Sequence, residues 1–230
     1  MGWRQSSSDE SERGSQATLA ALACHDPPVA VHVLEIKVIS CGGMFDLMSE
    51  QEASFLVSAL GLFRNVQDVG RALPRANVGL VRAYTQRDFL RGLNDDAHLL
   101  HLIAHASSTT LQTGNGKSQV AAAQVKELGE RGRLSIPEIV VSTACGFQSP
   151  EWQAALKACG AGVLIAANTE VTPANLTAFD MSFYSALLSQ VRKGLSNLQR
   201  VEASFALADT HYRSIHAAGT PFAKFSLTHL

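Results

Sequence analysis

A histidine and a cysteine in this chain each stand at the end of an apolar run. His105 follows Leu99-Leu100-His101-Leu102-Ile103-Ala104, and Cys145 follows Ile139-Val140-Val141-Ser142-Thr143-Ala144. Small residues come next in both places: Ala106, Ser107 and Ser108 in the first, Gly146 in the second. An imidazole that takes a thiol proton makes a strong nucleophile, so the pair is the minimum apparatus for acyl transfer through a thioester. The two runs read as strands, and in an open parallel sheet ligands bind where the carboxyl ends of the strands meet the loops. Neighbouring strands ending in these residues would feed one cleft. Gly146 permits a sharp turn with the backbone close to a bound group. Cys41 and Gly42, in the glycine-bearing loop after an earlier strand, are candidates with Gly146 for the cleft wall.

The other reactive side chains have plainer readings. Cys24, Cys41, Cys145 and Cys159 show neither CxxC nor zinc-type spacing and read as reduced thiols. Cys159 closes the run Ala155-Leu156-Lys157-Ala158 and reads as packing. His98 and His101 share the strand of His105, and period-2 alternation turns His101 to the same face as His105. A metal held by all three would need ligands strung over more than roughly 20 Å of strand, so no metal is expected. His101 reads as a hydrogen-bonded core histidine. Thr113-Gly114-Asn115-Gly116-Lys117-Ser118 looks like the tail of a phosphate loop, but Leu111 stands where its first glycine belongs, and a hairpin turn fits better. No GxGxxG occurs, and no cofactor is expected. Trp152 and Phe179, Phe183 and Tyr184, at helical spacing, read as core.

The elements that must position the pair alternate regularly. Val29 to Ser40 reads as a strand. Ser49-Glu50-Gln51-Glu52 is a capping box opening a helix to about Phe63. Val78 to Ala83 is a second strand, and Thr85-Gln86-Arg87-Asp88 opens a helix to about Leu93. After the His105 strand come a hairpin at Gly114-Asn115-Gly116 and a helix over Val120 to Gly129. After the Cys145 strand, Ser149-Pro150 supplies an N-cap and a proline at the first helical position, with Gly160 as the stop. A strand over Gly162 to Ala167, a helix from Thr172-Pro173 to Arg192, a helix from Leu198 to Tyr212 and a short strand at Phe222 to Leu227 complete the pattern. Repeated βα units imply a mostly parallel sheet covered by helices on both faces.

Composition narrows the function classes. Apolar residues make up 46% of 230, enough for one α/β domain. Lys+Arg 19 against Asp+Glu 20 leaves a net charge of -1, with no basic stripe for nucleic acid. No apolar run reaches the ~18 residues of a membrane span, and the start lacks a secretory h-region, so a cytoplasmic protein is expected. Residues 1–28, polar from Gln5 to Gln16, are expected to be disordered or loosely docked, with a single domain over 29–230.

The runs Ala97 to His105 and Val140 to Gly146, with Ala161-Gly162-Val163-Leu164-Ile165 and Ala178-Phe179-Asp180-Met181-Ser182-Phe183-Tyr184, resemble CHAT-type caspase-like peptidases. That family is grouped with caspases, separases and legumains. The resemblance covers roughly Val29 to Tyr212 and implies a caspase-like three-layer sandwich. It implies Cys145 as nucleophile, His105 as general base and acid, and the backbone N–H groups of Ala106 and Cys145 as oxyanion donors. It also implies a protein or peptide substrate, with a gasdermin-like pore former in bacterial defence or regulated cell death as one example. Two positions depart from the family pattern: Ala106 replaces the usual glycine after the histidine, and Asn168-Thr169-Glu170-Val171-Thr172 replaces an aromatic-and-acid segment. The alternative is a catalytically inactive interaction module on the same fold. An α/β-hydrolase or glutamine-amidotransferase elbow is disfavoured, because there the catalytic histidine follows the nucleophile and glycines flank it on both sides.

Overall fold

The computed structural model describes residues 34–42, 47–65, 76–94, 96–114, 116–189, 195–215 and 223–230. The polar segment 1–28, Cys24 and residues 29–33 of the expected first strand lie outside these, as do Arg192 and Phe222. The elements are β1 (Leu34–Ser40), α1 (Leu47–Asn65), β2 (Ala76–Arg82), α2 (Gln86–Leu93), β3 (Leu99–Ile103), β4 (Thr110–Thr113), β5 (Ser118–Ala121), α3 (Ala122–Glu130), β6 (Ile139–Ser142), α4 (Pro150–Ala158), β7 (Val163–Ala167), α5 (Pro173–Ser189), α6 (Asn197–Ile215) and β8 (Phe225–His229).

Six strands form one sheet in the order β2-β1-β3-β6-β7-β8, and β4-β5 is a separate antiparallel hairpin. All pairings in the large sheet are parallel except β7 with β8. The central strands are buried on both faces, which explains why β3, β6 and β7 are nearly continuous apolar runs. Strand parity sorts their side chains into two cores. Leu99, Ile103, Ile139, Val141, Val163 and Ile165 pack on one face with Leu56 of α1, Phe179 and Phe183 of α5 and Tyr212 of α6. Leu100, Leu102, Val140 and Leu164 pack on the other with Phe89 of α2, Val125 of α3 and Trp152 of α4. The protein is therefore a three-layer α/β sandwich with a mostly parallel central sheet.

Local chemistry sets the helix starts. Thr85 caps α2 in a full capping box: its hydroxyl accepts from the Asp88 N–H at 3.2 Å, and the Asp88 carboxylate accepts from the Thr85 N–H at 3.1 Å. Ser149 caps α4 by accepting from the Trp152 N–H at 3.3 Å, with Pro150 at the first helical position. The Ser49 box does not open α1, which begins at Leu47, so Ser49 sits inside the helix. From β1 the chain runs through α1 on one face to β2, then returns through α2 on the other face to β3. The strand order therefore reverses between β1 and β3.

Candidate active site

Register brings the ends of the two strands level. β3 and β6 pair in parallel from Leu99↔Ile139 to Leu102↔Ser142, a constant offset of 40 positions (142 − 102). The Thr143 N–H donates to the Leu102 carbonyl at 3.0 Å, which carries the pairing past the last formal rung. Beyond it both chains leave the sheet, with His105 two residues past the end of β3 and Cys145 three residues past the end of β6. Both residues line a cavity on the face covered by α1 and α5.

The cavity has a volume of about 220 Å³, and His105, Cys145 and Thr143 line it together with Glu52 and Phe55 of α1 and Leu176 of α5. His105 is exposed and Cys145 half-buried. A space of this size is smaller than the ~300–1,000 Å³ that holds a drug-sized molecule, and matches one side chain of a longer ligand. Its wall is mainly apolar, with the Glu52 carboxylate as its charged member.

The loop after His105 is fixed by the loop after Cys145. Gly146 has φ +76°, and a Cβ there would come within 2.6 Å of the Ser107 carbonyl carbon. The Trp152 indole N–H donates to the Ser107 carbonyl at 3.0 Å, and the Ser149 hydroxyl donates to the Ser108 carbonyl at 2.7 Å. Phe147 stacks on Trp152 with ring centroids 4.4 Å apart, so the indole is itself held. On the other side the Gln112 N–H donates to the His105 carbonyl, and the Ser107 N–H to the Thr110 carbonyl, both at 2.8 Å. These bonds flank the Ala106–Leu111 bridge, a pairing that turns the Ala106 N–H away from the hairpin. Among the described residues neither the Ala106 nor the Cys145 N–H is used in a backbone hydrogen bond.

The remaining sequence candidates fall elsewhere. Cys41 is buried in the core of the opposite face, one position out of phase with Val38 and Ser40, and does not line the cavity. Burial pushes its thiol far above the ordinary range. Gly42 is buried just past β1, also outside the lining. Gly146 acts as a spacer between the two loops. Cys159 is buried, donates to the Val125 carbonyl at 3.4 Å, and is pushed up to about 11 by burial.

His101 is fully buried beneath the cavity, with its Nδ1 2.7 Å from the Tyr184 hydroxyl. Its Nε2 faces two carboxylates, Glu52 Oε1 at 3.8 Å and Asp180 Oδ2 at 4.0 Å. Burial, and then the neighbouring Glu52, hold Asp180 well above the usual carboxylate range. Three ligand atoms from Glu52, His101 and Asp180 lie within 4.8 Å of one another, the one such group among the described residues.

Sequence reasoning missed Glu52, Phe55 and Leu176 as lining, and Trp152 and Ser149 as holders of the Ser107–Ser108 backbone. Helices far along the chain bring the first three, and no local pattern marks them. The Ser149 N-cap signal identified the hydroxyl but not its second partner.

No family model and no curated protein matches the chain. Among solved structures it is similar to a chain in the crystal structure of the Saccharomyces cerevisiae separase-securin complex, with TM-score 0.47 and 14% sequence identity over 87% of this chain. It spans 12% of the length of that chain.

Proposed function

We propose that this chain is a cysteine endopeptidase of the caspase-like, CHAT-related kind, with its peptidase domain over residues 29–230, Cys145 as nucleophile and His105 as general base. The observation that carries the reading is that both residues line one cavity, just past the ends of adjacent parallel strands. His105 takes the Cys145 proton, and the thiolate sulfur attacks the carbonyl carbon of a peptide bond. The oxyanion is held by the N–H groups of Ala106 and Cys145, a type of contact worth about 3–4 kcal/mol for each donor. Collapse expels the amine, which takes the proton from His105, and leaves a thioester that water hydrolyses with His105 again as base. The cavity accepts one side chain of the substrate, and the rest of the peptide lies along the exposed rim. Because Ala106 donates through its backbone, it can serve where the family has glycine.

The test is active-site labelling with iodoacetamide near neutral pH, followed by peptide mapping and cleavage assays on a peptide library. Cys145 is expected to label fastest, more slowly after His105→Ala, and Cys145→Ala to abolish cleavage with little change in thermal midpoint. His105→Ala costs a comparable activity, since the two act as a unit. Proteolysis by Cys145→Ala refutes the mechanism. An inert Cys145 with no cleavage by the wild type favours the interaction module, which Ala106 also suits.

A further inference from the structure

We propose that Glu52, His101 and Asp180 form a binding site for a divalent transition ion of the zinc class, directly beneath the cavity. The donor set is one imidazole nitrogen and two carboxylate oxygens, all of them ligand types that zinc accepts. Two atoms bound to one ion at ~2.0–2.2 Å stand about 3–4 Å apart, depending on the angle between them. At tetrahedral angles the span narrows to about 3.3–3.6 Å, so the 3.8 and 4.0 Å separations from His101 Nε2 shorten by a few tenths of an ångström on binding.

The polar atoms lack other uses. His101 Nε2, Glu52 Oε1 and both Asp180 oxygens are buried and have no hydrogen-bond partner. His101 is 0% and Asp180 1% exposed, and leaving such groups unsatisfied is costly. The Tyr184 hydroxyl occupies Nδ1 and so leaves Nε2 to the carboxylates, the outer contact that commonly orients a metal-bound histidine. A dication favours the ionised form of both carboxylates, with the Asp180 proton passing to solvent, and supplies a partner for one atom of each residue. Glu52 also lines the cavity, so an ion reaches the site from solvent along that wall. Once bound, the ion ties α1, β3 and α5 together and fixes the helix that carries Glu52 and Phe55. This site stands independently of the peptidase reading, because none of its ligands is His105 or Cys145.

The experiment is calorimetric titration of the chelator-treated full chain with Zn²⁺, together with thermal denaturation and Co²⁺ absorption spectra. One equivalent is expected to bind and, at a hundredfold excess over Kd, to raise the midpoint by roughly 5–10 °C. Cys145→Ala should keep this binding, and the Co²⁺ complex should show ligand-field bands without a thiolate charge-transfer band. Asp180→Asn and Glu52→Gln should each weaken it at least tenfold. Glu52→Gln is the safer variant for folding, since its side chain reaches the cavity. No binding to the wild type overturns the proposal. So does binding that Cys145→Ala removes while Glu52→Gln keeps, since the ion would then sit on the thiol.

Discussion

Replacing Gly146 with alanine tests how the two loops of the cavity are held together. At φ +76° an L side chain is strained by about 1–2 kcal/mol. The new Cβ would also lie 2.6 Å from the Ser107 carbonyl carbon and 2.9 Å from both the Ser107 oxygen and the Ser108 nitrogen. This backbone cannot yield freely, because the Trp152 indole and the Ser149 hydroxyl grip its two carbonyls. Forcing extra atoms into such a place costs about 1–3 kcal/mol. Together the two effects amount to about 3 kcal/mol, a fall of roughly 6–12 °C in Tm for a protein of this size. Urea and thermal midpoints measure it. Gly61→Ala in α1 is the control: a Cβ there meets nothing within 4 Å, so the helix should gain about 0.5–1 kcal/mol. Displacement of Ser107 also shifts His105, and alkylation of Cys145 should slow. A Gly146→Ala protein within about 0.5 kcal/mol of wild type would refute the reasoning, since surface-like tolerance is incompatible with that contact.

Three further outcomes follow from neighbouring contacts. Trp152→Phe keeps the stack on Phe147 but strips the Ser107 carbonyl of its indole donor, and should cost about 1–2 kcal/mol in urea unfolding. Ser149→Ala removes the cap of α4 and the bond to Ser108, for a loss of about 1–2 kcal/mol by the same assay. The buried Cys159 thiol stays protonated in the folded chain up to about 11, while in the unfolded chain it ionises near ~8.5. Its stabilisation is therefore complete below pH ~8.5 and is lost as pH rises through the folded value, at about 1.4 kcal/mol per pH unit. Denaturation at stepped alkaline pH should show Cys159→Ala falling less steeply than wild type by that amount.

The helix caps and the sheet were legible because they depend on short-range chemistry. Thr85 with Asp88, and Ser149 with Pro150, announced α2 and α4, and unbroken apolar runs announced β3, β6 and β7. The common cavity of His105 and Cys145 was legible in part: strand ends were clear, but register depends on which strands become neighbours. Cys41 shows a limit of proximity arguments. It lies near the carboxyl edge, yet strand parity turns it into the opposite core, and counting from Val38 and Ser40 would have shown this. Glu52 was hidden for a different reason. Its local pattern spelled a helix start, whereas α1 begins earlier and carries Glu52 to the cavity wall. His101, read as a hydrogen-bonded core histidine, has that bond to Tyr184, but its second nitrogen faces carboxylates that α1 and α5 supply.

The order of the strands divides the sheet at a single seam. Among the described residues, the strands of the large sheet that precede the exposed turn Arg131–Arg133 form the contiguous half β2-β1-β3, and those that follow it form β6-β7-β8. His105 belongs to the first half and Cys145 to the second, so neither fragment of a chain severed at that turn owns the cleft. The cavity is a property of the join: it exists only where β3 and β6 are zipped through to their carboxyl ends. Thiol reactivity at Cys145 would then report on reassembly of the fragments, which makes this turn a natural place to split the protein into complementing halves.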